Sequence, residues 1–214
     1  VDPGVPVICV GNITLGGTGK TPVTQSILRR LEELDCKPCA LSRGYGGSEA
    51  GPLEVLDTHS AAQVGDEPLL LAHDARVWIS RDRVEGAHAA VEAEVDVIVM
   101  DDGHQNPTLK KTLSIVVIDS VAGWGANLVL PAGPLREPVP VGLARADAVI
   151  VMTPDQDAVP NYARLQLSDL EIPVLQAWLE PREAPPKGRL LAFAGIGRPQ
   201  KFFDALEAAG AQLT

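Results

Sequence analysis

Short apolar runs alternate with amphipathic stretches along the whole chain. The apolar runs lie at residues 5–10, 39–42, 77–80, 95–100, 113–119 and 148–152. Most of them are too uniformly apolar to alternate between inward and outward side chains, which is typical of strands buried on both faces. The pattern therefore predicts an α/β fold with a mainly parallel sheet and helices on both faces.

Two of the amphipathic stretches have the periodicity of helices. Residues 22–34 and 82–94 place aliphatic side chains at helical spacing. Each stretch lies between two of the apolar runs. Each is therefore predicted to be the crossover helix of a βαβ unit.

A Pro-rich stretch divides the chain. Residues 181–188 read PREAPPKG and are predicted to form a linker or hinge. We assign residues 1–180 to a main core and residues 189–214 to the incomplete beginning of a smaller second α/β domain. That domain is predicted to start with an apolar strand at 190–194, a glycine turn at 195–197 and then a helix.

The charge balance narrows the possible functions. With 18 Lys and Arg against 28 Asp and Glu, the formal net charge is -10, which argues against nucleic-acid partners because phosphate backbones attract clustered cations. No apolar run approaches the roughly 20 residues that a membrane-spanning helix needs, and the first residues lack the layout of a signal peptide. The chain as given is therefore expected to be soluble and cytoplasmic.

The strongest chemical motif lies between the first apolar run and the first helix. It consists of Gly16, Gly17, Thr18, Gly19, Lys20 and Thr21. In such a loop the backbone N–H groups surround nucleotide phosphates, Lys20 neutralises their charge and the Thr21 hydroxyl binds Mg²⁺. The strict motif has glycine where this chain has Thr14, but the required strand-loop-helix order is present. These residues predict a P-loop NTPase-type fold.

Two adjacent carboxylates follow the apolar run at 95–100. Asp101 and Asp102 are predicted to lie at the carboxyl edge of the sheet, where α/β proteins bind ligands. P-loop enzymes place an acid here to hold Mg²⁺ or its water. Because the phosphate loop is present, we favour this role over that of a solvent-exposed turn.

The segment from Gly65 to Pro68 allows two interpretations. Asp66 has the residue type of a helix N-cap, with Pro68 in the first turn. Asp66 could equally be a catalytic base. The residues alone leave both interpretations open.

Two further loops combine charged residues with glycine and proline. One contains Arg43 and Tyr45, and the other contains Arg136 and Glu137. Glycine and proline give such loops a defined shape, so we expect them to direct charges into a cleft. The residues alone do not assign their roles.

Taken together, these segments resemble the tetraacyldisaccharide 4'-kinase family, which phosphorylates the disaccharide 1-phosphate precursor of lipid A in Gram-negative bacteria. The matching stretches occur in family order and are VGNITLGGTGKTP, LSRGYGG, GDEP, VIVMDDGHQ, LPAGPLREP and FAGIGRPQKFF. The resemblance also accounts for Thr14, because the loop of this family begins with a small hydroxyl residue. It implies an ATP-dependent kinase at the cytoplasmic face of the inner membrane, with ATP, Mg²⁺ and the lipid A precursor as its partners.

The resemblance implies a role for each candidate residue. The implied catalytic residues are Lys20, Asp66, Asp101 and Asp102, and Asp66 would help to activate the sugar 4'-hydroxyl. The implied magnesium ligands are Thr21, Asp101, Asp102 and Glu137. The implied acceptor-binding residues are Arg43, Tyr45 and Arg136.

The chain also departs from the family pattern. His104 and Asn106 stand where many members have Phe and His, so the role of that position stays open. Two family features, an apolar N-terminal helix that associates with membranes and a C-terminal His-rich motif, are missing from this sequence. We therefore expect the 214-residue chain to bind ATP and Mg²⁺ but to be a poor kinase by itself.

Two other classes of protein compete with the kinase. A P-loop ATPase switch or a metal-insertion chaperone shares the GGxGKT loop. The ATPase switches normally have a second lysine where this chain has Leu15, and GTPase-type chaperones need an Asn-Lys-x-Asp tetrapeptide that does not occur. A nucleotide-binding module that has lost catalysis is the third interpretation.

Overall fold

The structure, a computed structural model, describes residues 1–180, 183–195 and 199–214. The strands are Val7–Gly11 (β1), Pro38–Ser42 (β2), Leu53–Glu54 (β3), Val77–Ile79 (β4), Val97–Asp101 (β5), Leu113–Asp119 (β6), Ala148–Met152 (β7), Val174–Ala177 (β8), Arg189–Leu190 (β9) and Gln212–Leu213 (β10). The helices are Lys20–Glu32 (α1), Ala61–Val64 (α2), Asp66–Ala72 (α3), Arg83–Glu92 (α4), Val139–Leu143 (α5) and Pro199–Ala208 (α6).

Eight strands form one sheet in the order β3-β4-β2-β5-β1-β6-β7-β8. All neighbouring pairs are parallel except β3 and β4, which are antiparallel. The predicted mainly parallel sheet is therefore confirmed. The strand and helix boundaries differ from the predicted ones by a few residues at most, as in β1, which begins at Val7 rather than at residue 5.

Helices pack on both faces of the sheet, as the apolar runs predict. On one face, Val23 and Leu28 of α1 belong to a buried cluster that includes Val10 and Val99. On the other face, α4 packs through Ala87 and Ala90 against a cluster that includes Cys9, Ile98 and Met100. Neighbouring residues of β1 and β5 thus contact different helix layers, which explains why these strands are apolar at nearly every position.

The last elements form a separate small sheet. β9 precedes α6 in the chain and β10 follows it. The two strands pair in parallel and do not join the main sheet. The predicted strand at 190–194 is too long, because β9 already ends at Leu190. The next apolar residues, Leu191 and Phe193, are exposed. The linker prediction includes residues 181–182 and the glycine-turn prediction includes 196–197, and these positions lie outside the described residues. The division into two domains stays a prediction.

The carboxyl ends of the parallel strands lie along one edge of the sheet. β1 lies between β5 and β6, so the phosphate loop after β1 is next to Asp101 at the end of β5. Arg43 follows β2, which is the other neighbour of β5. In the described part of the chain no helix is long and apolar enough to cross a membrane.

The loop after β2 lies directly against the junction of α2 and α3. A Cβ atom on Gly65 would lie 2.5 Å from the carbonyl oxygen of Tyr45, and one on Gly47 would lie 2.4 Å from that of Gln63. Only glycine permits backbones to approach this closely. The contact brings Asp66 next to the loop that contains Arg43 and Tyr45.

We expect Gly65→Ala to destabilise the protein more than Gly46→Ala. Gly65 has φ 90 and ψ 156, a conformation that costs other residues about 1–3 kcal/mol, and its new methyl group would also meet the Tyr45 carbonyl. Gly46 has φ +83, and a methyl group there would meet nothing within 4 Å, so it reports the backbone cost alone. Urea unfolding of both variants measures the difference, and equal losses would contradict the close contact at Gly65.

Candidate active site

The phosphate loop connects β1 to the first turn of α1. Gly19 has φ 96, and a Cβ atom there would lie 2.9 Å from the Met152 side chain, so both its conformation and its surroundings require glycine. The Asn12 side-chain amide donates a hydrogen bond to the Thr18 hydroxyl, 3.2 Å away. Within the described residues, no side chain caps the N-terminus of α1. Its first backbone N–H groups can therefore bind an anion.

Lys20 is the first residue of α1 and its side chain is mostly buried. Its Nζ atom lies 3.7 Å from Oδ1 of Asp102, and the Lys20 side chain is 12% exposed. The ammonium group is thus held between the start of α1 and the end of β5. The Thr21 side chain follows in the same helical turn and is half-buried.

Asp102 is bound by two cations. Both terminal nitrogens of Arg136 donate to its two carboxylate oxygens at 2.9 Å, in the bidentate geometry that is strongest for this pair. The Asp102 backbone has φ 52 and its N–H donates to the carbonyl of Val10. Aspartate tolerates this left-handed conformation better than most residues do. The structure therefore places Arg136 with the acids, and its predicted acceptor role stays a prediction.

Asp101 is almost completely buried, with 1% of its surface exposed. The Thr24 hydroxyl of α1 donates to its Oδ1 atom at 3.2 Å. Burial, assisted by the charges of Glu67 and Asp102, raises the pKa of Asp101 to about 6, although Lys20 and Thr24 act in the opposite direction. A bound cation would offset this cost, because it stabilises the ionised carboxylate.

Glu137 has partners of its own. Arg145 donates to both of its carboxylate oxygens at 2.7 Å, and Gln105 donates to Oε1 at 2.8 Å. Burial acts to raise the pKa of Glu137, but these hydrogen bonds outweigh it, so the net pKa lies below the usual value. The predicted role of Glu137 as a magnesium ligand stays a prediction.

The donor groups at this edge fit Mg²⁺ rather than a metal enclosed by protein ligands. Among the described residues, no three His, Cys, Asp or Glu side chains are close enough to hold a metal by themselves. Mg²⁺ usually takes one or two carboxylates and completes its coordination with phosphate oxygens and water. Asp101, Asp102 and the Thr21 hydroxyl provide oxygen donors of this kind.

Arg43, Tyr45 and Asp66 are more exposed than Lys20 and Asp101. Arg43 and Asp66 are exposed, and Tyr45 is 82% exposed. Asp66 is the first residue of α3, not its cap: Gly65 is the N-cap, and in the described residues no side chain makes a capping hydrogen bond there. The capping interpretation of Asp66 is therefore wrong, because the chain turns into α3 one residue earlier. Pro68 lies in the first turn, as predicted.

Several residues at this edge were missed by the sequence analysis; they are Asn12, Thr24, Glu67, Arg83, Gln105 and Arg145. Arg83 lies shortly after β4 and is 5% exposed. Burial, followed by the charge of Arg43, lowers its pKa, whereas Asp101 and Asp102 act in the opposite direction. The rule that selected Asp101, a charge just after a predicted strand, also applies to Arg83. The contacts of the others join distant segments, and no local pattern indicates them.

We expect Asp101→Asn to stabilise the ligand-free chain above pH 7. The folded-state pKa of Asp101, about 6, exceeds its ordinary value of 3.8, so its contribution to stability is fully present below pH 3.8 and is lost as the pH rises through 6. A shift of this size corresponds to about 3 kcal/mol. Urea unfolding at pH 5 and pH 8 should show the variant gaining clearly more on the wild type at pH 8, because at pH 5 only about half of this contribution has been lost.

Asp57→Asn, at an exposed carboxylate, is the matched control for this comparison. The lowered pKa of buried His104 destabilises the protein as the pH falls, but it is common to all three proteins and cancels at each pH. If Asp101→Asn gained the same stability at both pH values, the gain could not come from removing a buried ionised carboxylate.

The sequence and the structure both have named relatives. The family model described as "Tetraacyldisaccharide-1-P 4'-kinase" matches residues 1–214. A tetraacyldisaccharide 4'-kinase from Maricaulis maris is 61% identical over 212 residues, which are 98% of this chain and 62% of that protein. The corresponding protein of Hyphomonas neptunium is 54% identical over 211 residues, again 98% of this chain and 62% of the relative. The chain thus spans less than two thirds of the length of these relatives.

Solved structures agree with this relationship. LpxK from Aquifex aeolicus, crystallised in complex with ATP, is similar with a TM-score of 0.81 and 28% sequence identity, over 100% of this chain and 70% of that one. The signal recognition particle 54 kDa protein from Aeropyrum pernix, in complex with GDP, has a TM-score of 0.50 and 12% identity over 81% of this chain and 42% of that one, and shares only the P-loop fold. The chain belongs to the tetraacyldisaccharide-1-P 4'-kinase family.

Proposed function

We propose that this chain forms the nucleotide-binding and catalytic core of an ATP-dependent kinase. It transfers the γ-phosphate of ATP to the 4'-hydroxyl of tetraacyldisaccharide 1-phosphate, the lipid A precursor. The observation that carries the proposal is the joining of Lys20, Asp102 and Arg136 at the N-terminus of α1, next to buried Asp101. The names of the relatives supply the acceptor, and the ATP complex of LpxK supports the choice of nucleotide.

The phosphate loop and Lys20 bind the triphosphate. The backbone N–H groups of residues 16–19 and the uncapped first turn of α1 donate to phosphate oxygens. Lys20 lies close enough to Asp102 to remain in place before the nucleotide arrives, since the two atoms are 3.7 Å apart. Phosphoryl transfer needs little covalent assistance, so this positioning and charge neutralisation supply most of the rate.

The acids beside the loop would hold the metal. Asp101, Asp102 and Thr21 are the proposed ligands, and Mg²⁺ bound there would neutralise charge on the β- and γ-phosphate oxygens. Arg136 keeps the Asp102 carboxylate in a fixed orientation through its two hydrogen bonds. The role of Arg136 is therefore proposed to lie with the metal-side acid as well as with the acceptor.

Asp66 is the proposed acceptor of the proton. As the 4'-oxygen bonds to the γ-phosphorus and the bond to the β-γ bridging oxygen breaks, the hydroxyl proton passes to a carboxylate. Asp66 is exposed at the start of α3, beside the loop of Arg43 and Tyr45, and can reach an acceptor that enters from outside. The acceptor is a membrane lipid, so we place the reaction at the cytoplasmic face of the inner membrane, where ATP is available.

A calorimetric ATP titration together with a lipid-dependent transfer assay tests the proposal. We expect the 214-residue chain to bind ATP in a Mg²⁺-dependent manner and to transfer phosphate slowly to tetraacyldisaccharide 1-phosphate in detergent micelles. ATP hydrolysis that is independent of the lipid would favour an ATPase switch or a chaperone. ATP binding without any turnover would identify a nucleotide-binding module.

We expect Lys20→Ala to weaken ATP binding and to abolish transfer. A hydrogen bond to a charged group contributes about 1.5–3 kcal/mol, or roughly a tenfold to hundredfold change in affinity. Lys37→Ala, at an exposed lysine just before β2, is the control and should bind ATP normally. Near-normal transfer by Lys20→Ala would refute the phosphate-loop assignment.

Asp66→Asn should lower transfer without affecting nucleotide binding. Loss of a general base typically costs a factor of about 10²–10⁴ in rate. The ATP dissociation constant should be unchanged, and the thermal midpoint should stay within a few degrees because the side chain is exposed and does not cap α3. A parallel measurement on Asp57→Asn gives the effect of removing an unrelated surface carboxylate, and an equal loss of transfer there would sink the assignment.

A further inference from the structure

His104 is buried at a point where three elements meet. It is 1% exposed, its Nδ1 atom lies 3.1 Å from the Ser114 hydroxyl of β6, and its Nε2 atom lies 2.9 Å from the Gly142 carbonyl of α5. The residue also lies against the end of β1, because a Cβ atom on Gly11 would be 2.5 Å from the His104 Cβ. One side chain thus connects β1, β6 and α5.

The hydrogen bonds determine the form of the imidazole. The Gly142 carbonyl can only accept, so Nε2 carries the proton, and in the neutral ring Nδ1 accepts from the Ser114 hydroxyl. Both ring nitrogens are therefore used within the protein. His104 has no nitrogen left for a substrate and is not a candidate base.

Gly142 in turn packs against the segment that contains Glu137. A Cβ atom on Gly142 would lie 2.5 Å from the Ile13 side chain and 3.4 Å from the Glu137 carboxyl carbon. Ile13 lies at the start of the phosphate loop, and its carbonyl accepts a hydrogen bond from the Arg136 N–H. The position of Gly142 therefore limits how the Arg136 and Glu137 segment lies on the loop.

The residue after His104 makes a second connection between the same segments. The Gln105 side-chain amide donates to the Asn12 carbonyl and to Glu137 Oε1, both at 2.8 Å. The Oε1 atom of the Gln105 side chain lies 3.4 Å from the same Arg136 nitrogen that donates to Asp102. His104 thus holds the backbone of α5 at Gly142, and Gln105 holds the Glu137 carboxylate just before that helix.

We propose that His104 is a positioning residue, which holds the Arg136 and Glu137 segment against the phosphate loop and so sets the orientation of Asp102 toward Mg²⁺·ATP. The inference rests on the proposed function of the same site. An apolar ring of similar size could fill the space, but it would remove both hydrogen bonds of His104. The Gly142 carbonyl would keep only its longer bond from the Arg145 N–H, at 3.3 Å, and the Ser114 hydroxyl would lose the ring nitrogen to which it donates. The segment would then lose one of the contacts that fix its distance from β1.

ATP titrations of the 214-residue chain, with and without Mg²⁺, test this role. We expect His104→Phe to weaken Mg²⁺·ATP binding about tenfold, equivalent to about 1.4 kcal/mol, with less than a twofold change in binding of ATP alone. His104→Gln, whose amide can donate to Gly142 and accept from Ser114, should recover most of the affinity. His88→Phe changes an exposed histidine of α4 and should match the wild type.

The outcomes separate this inference from the proposed function. Wild-type chain that does not bind Mg²⁺·ATP would overturn the proposed function itself. Normal wild-type binding with no defect in His104→Phe, or with an equal defect in the absence of Mg²⁺, would overturn the positioning role alone. If His104→Phe does not fold, Ser114→Ala removes only one of the two hydrogen bonds and should show a smaller defect that is again specific to Mg²⁺. Normal Mg²⁺·ATP binding by that variant would overturn the role.

Discussion

The bidentate contact between Arg136 and Asp102 joins two segments that are separated by 34 residues in the sequence. One segment ends the central strand β5, and the other runs beside the phosphate loop. Lys20 approaches the same carboxylate from α1. Three elements of the site therefore meet at Asp102, and removing its carboxylate would leave Lys20 and Arg136 without their shared partner. Such partly buried charge pairs are costly to break because the remaining charge loses its partner.

The two acids at this contact, Asp101 and Asp102, differ in burial and in the charges that surround them. Asp101 is buried and its pKa is raised, mainly by that burial, whereas the half-buried Asp102 is compensated by two cations. The fold thus maintains an acid that is only partly compensated, by Lys20 and Thr24, beside one that is compensated by two cations. A divalent cation at this place would further stabilise the ionised form of Asp101. The chain carries a formal net charge of -10, so the attraction for phosphate must come from local cations and N–H groups.

The sequence predicts the parts of this site that depend on local order. A glycine-rich loop between a strand and a helix, and acids directly after a strand, lie at the same edge in any parallel sheet, so the positions of Lys20 and Asp101 are predictable. The pairing of Arg136 with Asp102 is not, because it depends on how two loops lie relative to each other. Asp66 is ambiguous from the sequence because its residue type and place before a helix suit both a cap and a catalytic base, and the cap differs from the first helical residue by one position only. Strand β9 is shorter than predicted because a run of apolar residues does not by itself require strand pairing, and Leu191 and Phe193 are exposed.

The two halves of the site differ in how they are supported. In the proposed nucleotide half, Lys20, Asp101 and Asp102 are buried or paired groups at or after the ends of β1 and β5 of the main sheet. The proposed acceptor half consists of exposed side chains on a loop and at the start of α3, with Tyr45 82% exposed. A reaction that must exclude water cannot rely on such an open surface alone. In the proposed reaction the bound acceptor would therefore have to complete this half, and transfer would become possible only when both substrates are present. This coupling would protect ATP from hydrolysis at a site that already holds its phosphates.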